Sequence, residues 1–295
     1  MAGYKTVELL KAYAALTKPR VMMANALTSA AGYLLASGNA GRFYGWRFLA
    51  LFAGSSLVIA SACAINNYLD RDIDSIMERT RKRPTATGQI GRTGAVTYSI
   101  LLLAAGLAVL SLWTNRLVVL IGIAGFIDYV WLYGALSKRR SVHGTLVGSI
   151  SGAVPVLAGY VAVSDRIDAG AALAFASLFF WQMPEFYSIA IYRRKEYAAA
   201  GVPIISVVKG VKRTAAEIFF YMVLFVASAL LLTVFGYTGW IYFGVMAVLG
   251  IYWLSIAGQG LKGGGSDAWA RRVFHFSMII ILVYCVALSA GPLIP

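Results

Sequence analysis

Three polar residues, spaced four apart, lie at the end of the apolar stretch at residues 46–68 and directly after it. Asn66, Asp70 and Asp74 lie in the segment NNYLDRDIDSIMERTRKRP, residues 66–84. If a helix carries through this segment, their side chains share one face, each turned by about 40° from the last, and Asp72 points elsewhere. An amide and two carboxylates are hard oxygen ligands that suit Mg²⁺ bridging to substrate phosphates. The sequence therefore predicts a catalytic magnesium site at Asn66, Asp70 and Asp74; a solvated, charge-balanced inner loop is the plainer alternative.

Basic residues follow this row and recur on two later inner connections. Clustered ammonium and guanidinium groups hold anions such as diphosphate and stabilise the negative charge that develops as diphosphate leaves. Lys138 and Arg193 are expected to act in catalysis as well as in binding. A role as mere inner-surface anchors stays open for the group at 138–140. The predicted diphosphate-binding set consists of Arg79, Arg83, Lys138, Arg139, Arg193, Arg194 and Lys195.

Two further carboxylates, Asp128 and Glu185, lie inside apolar stretches. An ionisable group at that depth needs a partner or a water-filled cavity. Pro184 removes a backbone hydrogen bond beside Glu185 and predicts a kink. The predicted pocket for the acceptor and the prenyl chain consists of Asp128, Tyr133, Trp181, Glu185 and Tyr187. Glu185 could instead be a second metal ligand, a proton acceptor or the partner of a buried base.

The composition places these residues in a membrane protein. Of the 295 residues, 60% are hydrophobic and 13% are charged, which is too apolar for a soluble chain of this size. The net charge of +14 is confined to short loops between apolar stretches, so it indicates membrane topology and no nucleic-acid partner. Cys63 and Cys285 lie within apolar stretches, which argues against a disulfide framework. The chain has no glycine-rich phosphate loop and no sequence pattern of a hydrolytic triad.

Nine apolar stretches have the length of about 20 residues that crosses a bilayer. Short connections make consecutive helices antiparallel neighbours, so we predict an all-α bundle of nine transmembrane helices in a single domain, 1–295, with residues 1–17 as a basic segment on the inner membrane surface. The stretches lie near 20–37, 46–68, 95–113, 117–136, 144–163, 170–191, 214–235, 238–258 and 272–290.

The basic residues are distributed unequally between the two sides of such a bundle. With the N-terminus inside, all but four of the 26 Lys and Arg residues lie on inner segments; the exceptions are Arg42, Arg47, Arg116 and Arg166. Because cytoplasmic loops carry the excess of Lys and Arg, we predict a cytoplasmic N-terminus and an outside C-terminus.

These motifs resemble the intramembrane prenyltransferase superfamily typified by 4-hydroxybenzoate polyprenyltransferases, whose first aspartate-rich motif, NxxxDxxxD, is matched by Asn66, Asp70 and Asp74. Within that superfamily the chain is similar to the protoheme IX farnesyltransferase (heme O synthase) family. The resemblance keeps its order and spacing from about residue 14 to residue 213. It is carried by LTKPR at 16–20, YLDRDIDSIMERTRKRP at 68–84, a Tyr then LxKR pattern at 133–139, GAVPVLAGY at 152–160 and WQMPEFYSIAIYRRKEYAAAGVP at 181–203.

The resemblance implies nine helices around a chamber open to the cytoplasmic side of a prokaryotic inner membrane. It also implies transfer of a farnesyl group from farnesyl diphosphate to a vinyl group of heme B, with Mg²⁺ as cofactor and water adding to the product, heme O. Heme A synthase or terminal-oxidase assembly factors are the implied protein partners. Three positions depart from the family pattern: Glu185 stands where histidine, a candidate heme contact, is usual, Gly134 where threonine follows the tyrosine, and Gly144 where asparagine is common.

Two other functions stay open on the sequence. The same chemistry could act on another acceptor, such as a quinone precursor or a glycerol phosphate lipid, and the missing histidine favours keeping this alternative. A secondary transporter also presents carboxylates and broken helices inside the membrane, although its features should gather near the midplane. The polar residues of this chain gather at the inner face instead, which favours an enzyme.

Overall fold

The computed structural model describes residues 2–295, with the backbone alone for residues 2–6. The described residues form helices joined by turns and loops and contain no strand, which confirms the predicted all-α class. The α-helices are α1 Ala2–Leu16, α2 Pro19–Ala40, α3 Gly45–Leu69, α4 Arg71–Ile76, α5 Arg92–Trp113, α6 Arg116–Ile127, α7 Gly144–Ser164, α8 Ala169–Tyr192, α9 Arg194–Ala199, α10 Ile205–Val208, α11 Gly210–Val234, α12 Trp240–Gly263 and α13 Asp267–Ala290. A π-helical segment, Asp128–Ser137, continues α6, and a short 3₁₀ helix, Gly291–Leu293, follows α13.

Seven helices in the part of the chain that the structure describes are long and apolar enough to cross a membrane: α3, α5, α6 with the π-helical segment, α7, α11, α12 and α13. Helices α2 and α8 occupy the positions of the predicted first and sixth spans, but they are not among these seven. Both bury polar side chains against their neighbours, including Ser29 in α2 and Gln182 in α8, which lowers their apolar character. The protein is an integral membrane protein, and the count of nine spans is not confirmed. The single-domain organisation stays a prediction.

Side chains at three helix starts satisfy backbone N–H groups that have no partner within the helix. Asn115 accepts a hydrogen bond from the N–H of Val118 at the start of α6, and Asp168 and Ser266 do the same at the starts of α8 and α13. Such a cap contributes about 1 kcal/mol. These caps define where each helix enters the bundle.

Helices α2 and α7 approach so closely that their backbones touch. Gly32 of α2 lies against the backbone of Val156, and Gly159 of α7 lies against the backbone of Ser29. Small residues at such contacts let membrane helices pack by van der Waals attraction where no hydrophobic effect drives them together. The contact holds α2, and with it the residues just before α2, against the centre of the bundle.

Replacing Gly159 by alanine is expected to destabilise the protein, because the new Cβ would overlap the Ser29 carbonyl oxygen. Overpacking of this kind costs about 1–3 kcal/mol. The matched control is Gly244→Ala in α12, where a Cβ would meet no atom within 4 Å and helix propensity favours alanine by roughly 0.5–1 kcal/mol. Thermal unfolding in detergent should give a lower melting temperature for Gly159→Ala only. Equal melting temperatures for the two variants would contradict the close packing.

Candidate active site

The row of Asn66, Asp70 and Asp74 lies on one face, as predicted. Helix α3 ends at Leu69, yet the N–H of Asp70 donates to the carbonyl oxygen of Asn66 at 2.9 Å and the N–H of Asp74 donates to that of Asp70 at 2.8 Å. The helical ladder therefore continues through the junction with α4. The three residues are 2%, 1% and 3% exposed, and all three line one cavity.

Each member of the row contacts a basic side chain from a different part of the chain. Lys138 Nζ lies 2.5 Å from Asp70 Oδ2, and Arg83 Nη1 lies 2.7 Å from Asp74 Oδ2. Lys18 Nζ donates to Asn66 Oδ1 at 3.1 Å. Buried carboxylates need such partners, because an unpaired buried charge is strongly unfavourable. The result is a cluster of two acids and three bases at one end of the cavity.

The two lysines of this cluster differ in their electrostatic surroundings. Burial alone would lower the pKa of Lys138, but nearby charged groups, including the Asp70 carboxylate that it contacts, shift the pKa upward. Burial lowers the pKa of Lys18, and the neighbouring positive charges of Arg83 and Lys138 lower it further. In the described chain, the ammonium group of Lys18 has the neutral amide of Asn66 as its hydrogen-bond partner. Lys18 is thus a partly buried base whose charged form an added anion would stabilise.

Sequence reasoning missed Lys18 as a site residue. Its backbone is left-handed, with φ 50° and ψ 69°, immediately before Pro19, which begins α2. This conformation is uncommon for a residue other than glycine and costs on the order of 1 kcal/mol, so surrounding structure must enforce it. The LTKPR motif marked the position, but a positive φ at a lysine gives no pattern in the sequence.

The cavity combines this charged end with an apolar body. Its volume is about 570 Å³. Among the described residues, its walls include the apolar side chains Val58, Ile59, Phe126, Val154 and Ile281. Of the other predicted residues, the cavity is lined by Arg79, Arg83, Lys138, Tyr133, Trp181 and Glu185.

The π-helical segment contributes aromatic side chains next to the row. Tyr129 and Tyr133 both line the cavity, with ring centroids 5.7 Å apart. The hydroxyl of Tyr129 lies 3.5 Å from Asn66 Oδ1, and Lys138 Nζ lies 5.7 Å from the centre of the Tyr133 ring. π-helical turns are frequent at functional sites. Here the π-helical segment places the Tyr129 hydroxyl near Asn66 and is followed directly by Lys138, the base that contacts Asp70.

The row is suited to a divalent cation, although it supplies few ligands. Asp70 Oδ1 is buried without a hydrogen-bond partner among the described residues, and so is the Nδ2 of Asn66. The described chain has no group of three or more His, Cys, Asp or Glu side chains placed to hold a metal ion. Mg²⁺ commonly takes one or two carboxylates and completes its shell with water and substrate phosphates. The unpartnered Oδ1 of Asp70 and the carboxylate of Asp74 fit that mode of binding.

Two of the predicted pocket residues lie outside the cavity. Asp128 is buried between the π-helical segment and α7, where its Oδ2 accepts a hydrogen bond from the N–H of Ser151 at 3.0 Å. Tyr187 is buried on another face of α8 and packs edge-on against Tyr221, with ring centroids 6.2 Å apart. The prediction that both residues line the pocket is wrong, because the helical register turns their side chains towards neighbouring helices.

Four of the predicted diphosphate ligands also lie away from the cavity. Arg139 pairs with Asp72, the acid that points away from the row, at 2.6 Å, and this contact lowers the pKa of Asp72. Arg193 pairs with Glu196 at 2.9 Å, Arg194 pairs with Asp267 at 2.6 Å, and Lys195 is exposed. These bases have acidic partners of their own or face outward, and the structure does not place them in the cavity.

Comparison with known proteins identifies the family. Residues 25–279 match the model of the UbiA prenyltransferase family. The chain belongs to the UbiA prenyltransferase family. A protoheme IX farnesyltransferase of Chromohalobacter salexigens is 43% identical over 281 residues, which cover 95% of each chain. Proteins of the same name from Protochlamydia amoebophila and Serratia proteamaculans are 41% and 42% identical, over 93% and 95% of this chain and 96% and 94% of theirs.

Solved structures share this fold. A structure described as digeranylgeranylglyceryl phosphate synthase in membranes superposes with a TM-score of 0.82 at 22% identity, covering 97% of this chain and 99% of that one. A UbiA homolog from Archaeoglobus fulgidus, bound to GPP and Mg²⁺, superposes with a TM-score of 0.68 at 18% identity over 95% and 99%. The prediction of an intramembrane prenyltransferase similar to protoheme IX farnesyltransferases is confirmed, and the transporter alternative is excluded.

Proposed function

We propose that this UbiA family member transfers the farnesyl group of farnesyl diphosphate to a vinyl group of heme B, giving heme O. The relatives that share about 42% of its sequence carry the name of this reaction. The observation that carries the proposal is a single cavity with two buried acids and three partly buried bases at one end and apolar walls beyond them. That arrangement matches a donor with a highly charged head and a hydrocarbon tail.

The charged end would receive the diphosphate. Lys18, Arg83 and Lys138 line the cavity beside the row and are held in place before substrate arrives. Positive groups fixed where negative charge develops stabilise the transition state without reorganisation. Arg79 lines the same end and would meet the diphosphate from the surface.

A divalent cation, Mg²⁺ in the proposal, would be held by Asp70 and Asp74 with Asn66 beside them. When bound, such an ion supplies Lewis-acid polarisation of the diphosphate oxygens. The chain's own contribution is to orient those ligands. The backbone ladder fixes the row, and the buried position of Asp70 keeps one of its oxygens available.

The apolar body would protect the allylic cation that forms when the carbon–oxygen bond of the donor breaks. The electron pair of that bond leaves with diphosphate, and the vinyl group of the acceptor then supplies the pair for the new carbon–carbon bond. Tyr129, Tyr133 and Trp181 present aromatic rings to the cavity, and aromatic faces attract cations. Apolar walls such as Val58 and Phe126 exclude water that would otherwise capture the cation early.

We also propose an orientation for the protein in the membrane and protein partners that receive its product. Since all but four of the 26 Lys and Arg residues lie on the predicted inner segments, the site and the N-terminus would face the cytoplasm, the C-terminus would lie outside, and α1 would rest on the inner surface of a bacterial plasma membrane. Heme O is amphipathic and sparingly soluble, so direct transfer to heme A synthase or to terminal-oxidase assembly factors would follow.

Purified protein incubated with farnesyl diphosphate, Mg²⁺ and competing acceptors tests the proposal. The acceptors are heme B, a quinone precursor such as 4-hydroxybenzoate, and a glycerol phosphate lipid. Mass spectrometry should find the farnesyl group on heme B, with one diphosphate released per product. Prenylation of another acceptor in preference to heme B would overturn the proposal.

Lys18 provides a prediction that the sequence alone did not offer. Lys18→Met keeps much of the side-chain volume but removes a partly buried basic group from the cavity, so we expect the KM for farnesyl diphosphate to rise about tenfold, the scale of one charge-assisted hydrogen bond. Lys11→Met, which removes an exposed lysine paired with Glu8, is the matched control and should behave like the unsubstituted protein. An unchanged KM in Lys18→Met would remove Lys18 from the diphosphate site.

A further inference from the structure

The proposed reaction consumes one water molecule, which must add only after the new carbon–carbon bond has formed. After the carbon–carbon bond forms, the positive charge lies on the former vinyl carbon next to the porphyrin ring. Water must add there, and the oxygen must then lose a proton. If water is poorly placed, the same cation loses a proton from a neighbouring carbon and yields an alkene instead. An apolar cavity therefore needs a polar group that holds this water and accepts its proton.

Among the described residues, three acidic side chains line the cavity: Asp70, Asp74 and Glu185. Asp70 and Asp74 are paired with Lys138 and Arg83 at the diphosphate end. The carboxylate of Glu185 forms neither an ion pair nor a side-chain hydrogen bond within residues 7–295. Glu185 is therefore the acid lining the cavity that is free to accept a proton from a bound water.

The polar neighbours of Glu185 are already engaged. Gln182, one turn earlier on α8, donates to the carbonyl oxygens of Ser149 and Leu178 at 3.1 and 3.0 Å. Trp181 donates its ring N–H to the carbonyl oxygen of Ser277 at 3.0 Å. The bonds to Ser149 and Ser277 tie α8 to α7 and α13. The carboxylate of Glu185 remains available to a ligand.

We propose that Glu185 is a further catalytic residue, which binds the reacting water and takes its proton; this rests on the proposed function. The water oxygen forms a bond to the cationic carbon as one of its O–H bonds breaks, and the proton passes to the Glu185 carboxylate. The neutral acid then returns the proton to solvent through the open side of the cavity. The step consumes one water and needs no oxidant or reductant.

The test compares products formed by Glu185→Gln, Glu185→Asp and the unsubstituted protein, with Glu217→Gln as the matched control. Glu217 lies on α11 and pairs with Arg213 at the surface. Assays with heme B, farnesyl diphosphate, Mg²⁺ and ¹⁸O-labelled water are analysed by mass spectrometry for the hydroxylated product and the alkene that is one water lighter. We expect Glu185→Gln to lower the ratio of hydroxylated product to alkene at least tenfold, with farnesyl transfer retained. Glu185→Asp should restore much of the ratio, and Glu217→Gln should not change it.

Three results would overturn the inference. One is an unchanged ratio in Glu185→Gln. Another is loss of all farnesyl transfer in a Glu185→Gln protein that melts at the normal temperature, because the carbon–carbon bond forms before water adds. The third applies if Glu185→Gln does not fold. The inference then fails if the ratio of hydroxylated product to alkene formed by Glu185→Asp is no higher than the ratio formed by a folded Glu185→Ala protein. A complete absence of farnesylated heme from the unsubstituted protein overturns the proposed function itself, so the two failures are distinguishable.

Discussion

Replacing Asp70 by asparagine is expected to lower kcat by a factor on the order of 100 or more, the loss that follows removal of one preorganised electrostatic group from an active site. Asparagine keeps the shape of the side chain but removes the charge that faces both Lys138 and the diphosphate end of the cavity. The measurement is release of diphosphate and formation of farnesylated heme at saturating substrate.

Asp72→Asn is the matched control for this substitution. Asp72 lies two residues further on, is exposed, and pairs with Arg139 outside the cavity. We expect its kcat to stay within about twofold, because exposed ion pairs contribute at most about 1 kcal/mol. Equal losses in Asp70→Asn and Asp72→Asn would contradict the assignment of the row. Since Asp70→Asn leaves Lys138 without its carboxylate partner, thermal unfolding in detergent must show that the variant is folded before its kcat is compared.

Replacing Lys138 by glutamine is expected to reduce kcat/KM for farnesyl diphosphate by about 100-fold, the order of magnitude that follows loss of one preorganised charged contact to the transition state. The Lys138 ammonium contacts Asp70 and lines the cavity. Steady-state kinetics with varied farnesyl diphosphate measures this effect.

The adjacent residue supplies a stringent control. Arg139→Gln removes a base of the same sign from the next position, but Arg139 is turned towards Asp72 and the carbonyl oxygen of Leu69. We expect Arg139→Gln to keep kcat/KM within a few-fold of the unsubstituted protein. If Arg139→Gln were the more damaging of the two, positive charge at the membrane surface would matter and the assignment of Lys138 would be wrong.

The row of Asn66, Asp70 and Asp74 was predictable because its geometry follows from helical spacing alone. Residues four apart share a face wherever the i to i+4 hydrogen bonds continue, and here they continue even across the junction of α3 and α4. The apolar stretches were equally predictable from the sequence, since the lipid environment requires long runs of apolar residues. Helices α2 and α8 are not among the membrane-spanning candidates, because polar residues within them lower their hydropathy.

The roles of neighbouring residues were not predictable from type and spacing. Lys138 and Arg139 are both basic, and whether either reaches the cavity depends on the π-helical turn that precedes them. Asp128 and Tyr187 lie in the correct helices, but the register of each helix turns them to a neighbour. Lys18 depends on a left-handed backbone that only the packed structure can enforce. Side-chain direction thus required the three-dimensional arrangement, whereas the residue types of the Asn66, Asp70 and Asp74 row and their shared face followed from the sequence.

The proposed metal and diphosphate sites can be tested by a structure of the protein with Mn²⁺ in place of Mg²⁺ and a non-reactive farnesyl thiodiphosphate, in which the anomalous signal locates the manganese ion. We expect a manganese peak against the carboxylates of Asp70 and Asp74, the diphosphate beside Lys18, Arg83 and Lys138, and the farnesyl tail along the apolar cavity towards Glu185. A manganese peak away from these two carboxylates, or a diphosphate bound by Arg139, Arg193 and Arg194 instead, would contradict it.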